Sequence, residues 1–167
     1  VQVAWFAAYG LLSIPGGNLI SKIGYQRGIL VGLATAGVGC LLFYPAATTR
    51  LYPLFLLALF VVAGGITILQ VAANPYISVL GPEQSASARL NLSQAFNSFG
   101  TTLAPVVAAS FLLGDQILSS DAIQALSESE RLSYYAREAS AVQVPFVLLA
   151  LAFFALAGVV GLITLPK

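Results

Sequence analysis

Gln70 and Asn74, within Gln70-Val71-Ala72-Ala73-Asn74-Pro75-Tyr76, and Gln94 and Asn97, within Arg89-Leu90-Asn91-Leu92-Ser93-Gln94-Ala95-Phe96-Asn97-Ser98-Phe99-Gly100, are uncharged amides in otherwise apolar stretches. A polar group in hydrocarbon is costly unless it has a partner or a ligand, so these amides are the first candidates for function. Asn and Gln offer both donors and an acceptor, the set that a neutral polyhydroxylated solute demands; an anion would call for Arg or a helix N-terminus. A sugar fits that chemistry. The sequence has no His, and its apolar stretches contain no Asp or Glu. An intramembrane enzyme would therefore lack both a nucleophile–base pair and a metal set.

Helical phase groups these residues. At 100° per residue, Asn91, Gln94, Asn97, Ser98, Thr101 and Thr102 fall within an arc of about 140°, and Thr67, Gln70 and Asn74 within about 60°. The two faces follow each other through a short turn and are expected to line a common cavity. The same residue types also hydrogen-bond between packed membrane helices; two continuous stripes favour a hydrated pathway. Gln2, Trp5, Tyr9, Ser13 and Gly16 form a third stripe. Trp5 reads as an interfacial anchor, whereas Tyr9 stands as a binding candidate, since an aromatic face suits the C–H patches of a sugar.

The elements that must position these side chains are membrane helices. Of the residues 59% are hydrophobic and only 8% charged, with a mean hydropathy of +0.92, far from the balance of a soluble domain. The formal net charge is +1, and no basic cluster supplies the footprint that nucleic acid requires. The lone Cys40 excludes an intrachain disulfide and a Cys/His metal site and reads as packing. No resident cofactor is expected.

Five stretches approach or exceed the roughly 20 helical residues that cross a bilayer: Val3 to Ile20, Ile29 to Ala47, Leu51 to Leu80, Leu90 to Leu113 and Val144 to Leu165. The third is overlong, and Pro75, which lacks an N–H, predicts a helix break there. Small residues in Gly28-x-x-x-Gly32, Ala36, Gly64-Gly65 and Gly158-x-x-Gly161 are expected to let helices of the same chain approach closely.

The connections alternate sides. Lys22, Arg27, Arg89 and Lys167 stand on one side against Glu83 alone, while Arg50, Arg131 and Arg137 face five acids on the other. Counting Lys and Arg in short loops puts the first side in the cytoplasm. The long Gly114 to Gln143 connection has a helix start at Ser119-Ser120-Asp121 and a capping box, Ser127-x-x-Glu130. It is expected to form a short amphipathic surface helix. The lack of Met, even at position 1, suggests an internal piece of a longer chain, with a cleaved signal peptide as the competing account.

Gly17-Asn18-Leu19-Ile20-Ser21-Lys22-Ile23-Gly24-Tyr25-Gln26-Arg27-Gly28 resembles the loop between the second and third helices of the major facilitator superfamily, with Ser21 where the usual pattern has an acid. Gly24-Tyr25-x-x-Gly28, Leu42-Phe43-x-Pro45-Ala46-Ala47, Ala72-Ala73-Asn74-Pro75-Tyr76, Leu80-Gly81-Pro82-Glu83 and the Arg89 to Gly100 stretch resemble the fucose, galactose and hexose permease family. The resemblance implies an all-α polytopic membrane bundle whose five spans correspond to helices two to six of twelve. Residues 1–167 would then be part of an N-terminal six-helix half, without its first helix and the C-terminal half.

It further implies alternating-access symport of a neutral monosaccharide (fucose, galactose or glucose type) in a bacterial inner membrane, with H⁺ or Na⁺ as coupling ion. A carrier for another small polar solute and a structural membrane subunit are the alternatives. Gln94 and Asn97 match polar substrate positions on the family's fifth helix. Gln70 matches an acid tied to proton coupling and, as an amide, cannot titrate. Lys22, Arg27 and Arg89 would belong to a cytoplasmic gate, or else set topology as snorkelling cations.

Overall fold

The computed structural model describes residues 2–112, 118 and 120–163 and is helical almost throughout. In chain order it forms α1 (Gln2–Ile23), α2 (Tyr25–Thr49), α3 (Tyr52–Val79), a 3₁₀ turn (Glu83–Ser85), α4 (Ala86–Leu112), α5 (Ser120–Ala125), α6 (Glu128–Ala141) and α7 (Gln143–Leu162). Tyr25–Thr49, Tyr52–Val79 and the Glu128–Leu162 stretch containing α7 are long and apolar enough to cross a membrane. Helices α1 and α4, of 22 and 27 residues, have the length as well and carry polar stripes.

The long helices fall where apolar runs predict them, but their connections are shorter than expected. Ser21 to Gly28 is not a loop: only Gly24 separates α1 from α2. Its φ of 84° and ψ of 164° lie where a Cβ is penalised, so glycine alone makes the reversal cheaply. The predicted helix ends at Leu113 and Leu165, and the positions Gly114, Ser119 and Lys167, lie outside the described residues.

The predicted break at Pro75 is absent. Helix α3 runs on to Val79 with Pro75 inside it. Proline removes one donor and leaves the rest of the ladder, and the residues beside it are pinned: Ala72 and Tyr76 are buried, and Tyr76 lies 5.7 Å from Tyr25, ring centroid to ring centroid.

Helices α2 and α3 form the centre, and the small residues explain their closeness. A Cβ on Gly32 would stand 2.7 Å from the Leu69 backbone nitrogen, and one on Gly39 2.6 Å from that of Val62. A Cβ on Gly65 would collide with the Ala36 backbone. The glycine pattern of α2 is thus intramolecular packing. Gly64 receives Leu12 of α1, and Gly37 receives the Phe154 ring of α7. Gly158, expected to act likewise, faces open space: a Cβ there would meet no neighbouring atom within 4 Å. Phe43 is the aromatic hub, stacked on Phe146 at 3.8 Å and edge-on to Phe55 at 5.1 Å. Cys40 lies beside it, 2% exposed, as packing.

The amphipathic connection holds two helices rather than one, α5 and α6. The capping box forms: Ser127 N–H donates to Glu130 Oε2 at 3.0 Å, and Glu130 N–H reaches Ser127 Oγ at 3.4 Å. Bonds from Ser127 to the ionised form hold the Glu130 carboxyl below its ordinary pKa.

Candidate functional site

Helices α1 and α3 bring two of the sequence candidates together. The Gln70 amide stands within hydrogen-bonding reach of the Tyr9 hydroxyl. Trp5, one turn earlier on α1, stands 6.4 Å from the Tyr9 ring, centroid to centroid. Gln70 is exposed, and Tyr9 and Asn74 are half-buried, so the α1–α3 surface presents a phenol and two amides that remain accessible. That pair of helices is held in register by Leu12 against Gly64 and Ile68 near Gly16.

Thr67 does not join them. It is 1% exposed, and its hydroxyl donates to the Ala63 carbonyl at 2.7 Å. Phase places it near Gln70, but close packing of α3 swallows the inner edge of that arc and satisfies the hydroxyl within its own helix.

Gln94 and Asn97 lie on α4, whose residues from Asn91 to Ala108 are exposed apart from Ser93. It packs mainly against α3 and the 3₁₀ turn, and Ala104, Val107 and Ala108 line a cavity of about 490 Å³ with Pro145, Phe146, Leu148 and Leu149 of α7. Among the described residues no hydrogen bond joins Gln94 or Asn97 to Gln70 or Asn74. The two sets of amides thus stand on neighbouring helices, α3 and α4, without bonding to each other. Thr101 and Thr102 both donate to the Ser98 carbonyl, at 2.9 Å each. Their hydroxyls serve their own helix, which leaves the amides as the outward-directed groups.

Arg89 makes helix-end contacts whose partners the sequence did not disclose. Its guanidinium donates through Nε to the Ile77 carbonyl (3.0 Å), through Nη2 to the Ser78 carbonyl (2.7 Å), and through Nη1 to the Pro82 carbonyl (3.0 Å) and Ser85 Oγ (2.6 Å). It thereby satisfies carbonyls at the end of α3, where no helical N–H reaches, and fixes the turn containing Gly81 at φ 110°. Lys22 and Arg27 are exposed; Lys22 sits in the last turn of α1, where a cation complements the helix dipole. Ser21, in the place of the usual acid, donates to the Asn18 carbonyl at 2.9 Å.

Gln26 has a partner that the sequence did not disclose either. Its amide nitrogen donates to the Val160 and Ile163 carbonyls, at 2.9 and 2.6 Å, and so clips the start of α2 to the end of α7. A polar residue beside a helix start gives no hint of a partner more than a hundred residues away.

No protein-family model matches the chain. The chain is 49% identical over 166 residues to the glucose/galactose transporter of Brucella abortus (strain 9-941), covering 99% of this chain and 37% of that protein. It is 39% identical over 150 residues to the L-fucose-proton symporter of Escherichia coli (strain K12), covering 89% of this chain and 34% of the relative. The crystal structure of the transporter FucP in the outward conformation superposes with a TM-score of 0.91 at 37% identity, over 99% of this chain and 40% of FucP. The chain spans about two-fifths of the length of these relatives. Over the part of these relatives that it spans, the chain has the fold of the major facilitator superfamily transporter FucP and the sequence of the sugar-transporter relatives at 39–49% identity.

Proposed function

We propose that this chain is part of a carrier that moves a neutral monosaccharide across a bacterial inner membrane by alternating access, coupled to protons. In this reading α1, α2, α3, α4 and α7 are five membrane spans and correspond to helices two to six of a twelve-helix transporter. The Gly24 and Gly81 connections face the cytoplasm. Residues 1–167 then form most of an N-terminal six-helix half, and the rest of the intact protein completes the cavity.

The observation that carries the proposal is the pairing of Tyr9 with Gln70 beside the accessible Asn74, with the amides Gln94 and Asn97 uncommitted on α4. Uncharged donors and acceptors with no carboxylate among them suit a ligand made of hydroxyls. Relatives named for glucose, galactose and fucose support the same class. The relative named as a proton symporter supports H⁺ over Na⁺. Since α1 to α4 and α7 contain no Asp or Glu, the proton-bearing acid belongs to helices beyond this chain.

The test is sugar uptake and binding by the intact protein in proteoliposomes. Gln94→Ala and Asn97→Ala, matched for expression, are expected to weaken sugar affinity several-fold to tenfold, since a neutral hydrogen bond contributes about 0.5–1.5 kcal/mol. Uptake should follow an imposed pH gradient and ignore Na⁺. Unchanged affinity in both variants would return these amides to helix packing.

A further inference from the structure

The end of the bundle remote from Gly24 and Arg89 has a concavity whose chemistry differs from that of the amide-bearing helix faces. A cavity of about 400 Å³ opens there, with Phe43 and Phe55 at its floor and Arg50, Tyr52, Tyr135 and Glu138 around it. Phe43 is 1% exposed and clamped by Phe55 and Phe146, so the floor is rigid and apolar. The rim is open: Arg50, Tyr52, Tyr135 and Glu138 are all exposed.

Depth follows from topology. Arg50 and Leu51 alone join α2 to α3, and both helices are long and apolar enough to cross a membrane. The turn between two such helices lies at the bilayer surface, the level at which tyrosines concentrate. Arg50 takes the left-handed conformation at the end of α2, with φ 55°, a common way to stop a helix abruptly. The cavity therefore runs from hydrocarbon depth at Phe43 to headgroup depth at Arg50. Helix α6 closes its far side with Tyr135 and Glu138, three residues apart on one helical face.

Its two charges are opposite and do not neutralise each other. Among the described residues no ion pair joins Arg50 to Glu138; Glu138 Oε1 accepts the Tyr134 hydroxyl at 3.0 Å. A cation and an anion held apart above an aromatic floor complement a ligand with its own separated charges and an apolar shaft. A monosaccharide has neither charge and would leave both rim groups uncompensated.

We propose that the Arg50–Glu138 cavity is a binding site for the headgroup of a zwitterionic phospholipid. Arg50 takes the phosphate through charge-assisted hydrogen bonds. Glu138 and the faces of Tyr52 and Tyr135 take the ammonium, and the glycerol shaft descends onto Phe55 and Phe43. The site lies away from Gln70, Gln94 and Asn97, so it is separable from the transport reading.

The experiment uses the intact, delipidated protein, back-titrated with phosphatidylethanolamine, phosphatidylglycerol or free phosphoethanolamine, with bound species counted by native mass spectrometry. Wild type should retain phosphatidylethanolamine over phosphatidylglycerol. Arg50→Gln should weaken both lipids by about tenfold, the loss expected for a hydrogen-bonded charge, and Arg50→Lys should recover most of it. Glu138→Gln should weaken phosphatidylethanolamine alone. Sugar affinity should stay at the wild-type value in all three variants, which also certifies their fold. Equal retention of both lipids by wild type and variants would overturn the proposal. So would displacement of bound lipid by millimolar monosaccharide, or binding of free phosphoethanolamine as tight as that of the lipid.

Discussion

Tyr9 of α1 and Gln70 of α3 stand within hydrogen-bonding reach of each other although 61 positions separate them, which makes one unit of two residues that the sequence offered separately. The phenol flanks a glutamine that stands where the resemblance places an acid. An amide paired with a phenol keeps a second donor and a carbonyl lone pair for a ligand.

Removing the phenol hydroxyl should act on affinity more than on folding. Tyr9→Phe keeps the ring and its packing on Trp5, so sugar affinity of the intact carrier should fall by about 0.5–1.5 kcal/mol, up to roughly tenfold. Gln70→Ala should cost a similar amount, and the double variant less than the sum, because the two share one interaction. Binding isotherms of the four proteins measure the coupling; strict additivity would dissolve the unit.

Gln70→Glu should add a pH dependence that wild type lacks at this position. The substitution puts a titratable carboxyl beside Tyr9 in place of an amide that cannot titrate. Sugar binding by the variant should therefore change across mildly acidic pH, measured against the wild-type profile between about pH 5 and 8. Identical profiles would place residue 70 outside the substrate's reach.

The α2–α3 contact predicts the largest losses of stability. Gly65→Ala places a methyl group into the Ala36 backbone, and Gly32→Ala places one 2.7 Å from the Leu69 nitrogen. Backbone cannot move aside as a side-chain tip can, so each should destabilise the folded protein by about 1–3 kcal/mol. Gly158→Ala, in open space, should be near neutral. Thermal unfolding of the three variants in one detergent makes the comparison.

Arg89 is expected to resist replacement by lysine. Its fork reaches four acceptors at once, and an ammonium on a flexible stem cannot reproduce that planar geometry. Arg89→Lys should loosen the turn over 80–85, read as faster amide exchange there, with exchange in the α2–α3 core unchanged. Equal protection in wild type and variant would leave charge alone as the reason for Arg89.

The capping box of α6 has a pH signature. The folded-state pKa of Glu130 is lowered by its bonds to Ser127, so its contribution is present above the unfolded-state value and lost as pH falls through the lowered folded one. Amide exchange over 127–138 should accelerate in that acid window, and Ser127→Ala should shrink the pH step, because the hydroxyl bond is lost while the backbone N–H bond to Glu130 stays.

Much of the fold was legible because hydropathy and helical period act within one segment. The apolar runs gave the long helices to within a few residues; Ser127 and Glu130 marked a cap, and Gly28 and Gly32 a close helix contact, since each signal rests on neighbours one or two turns away. The same local logic overreached at Pro75, where burial of Ala72 and Tyr76 keeps the helix continuous, and at Gly158, where a small residue meets nothing.

What the chain's own residues determined is the inventory: membrane-length helices, a stripe of amides on α4, a second set on α3, and no carboxylate within the long helices. Tertiary structure decided which of these face one another. It buried Thr67 away from Gln70, set Tyr9 beside Gln70, turned Arg89 into a clamp on the end of α3 and tied Gln26 to α7. Phase gives a residue's direction about its own helix axis. Only the packing of small residues, which sets how far helices approach and at what rotation, decides what that direction meets.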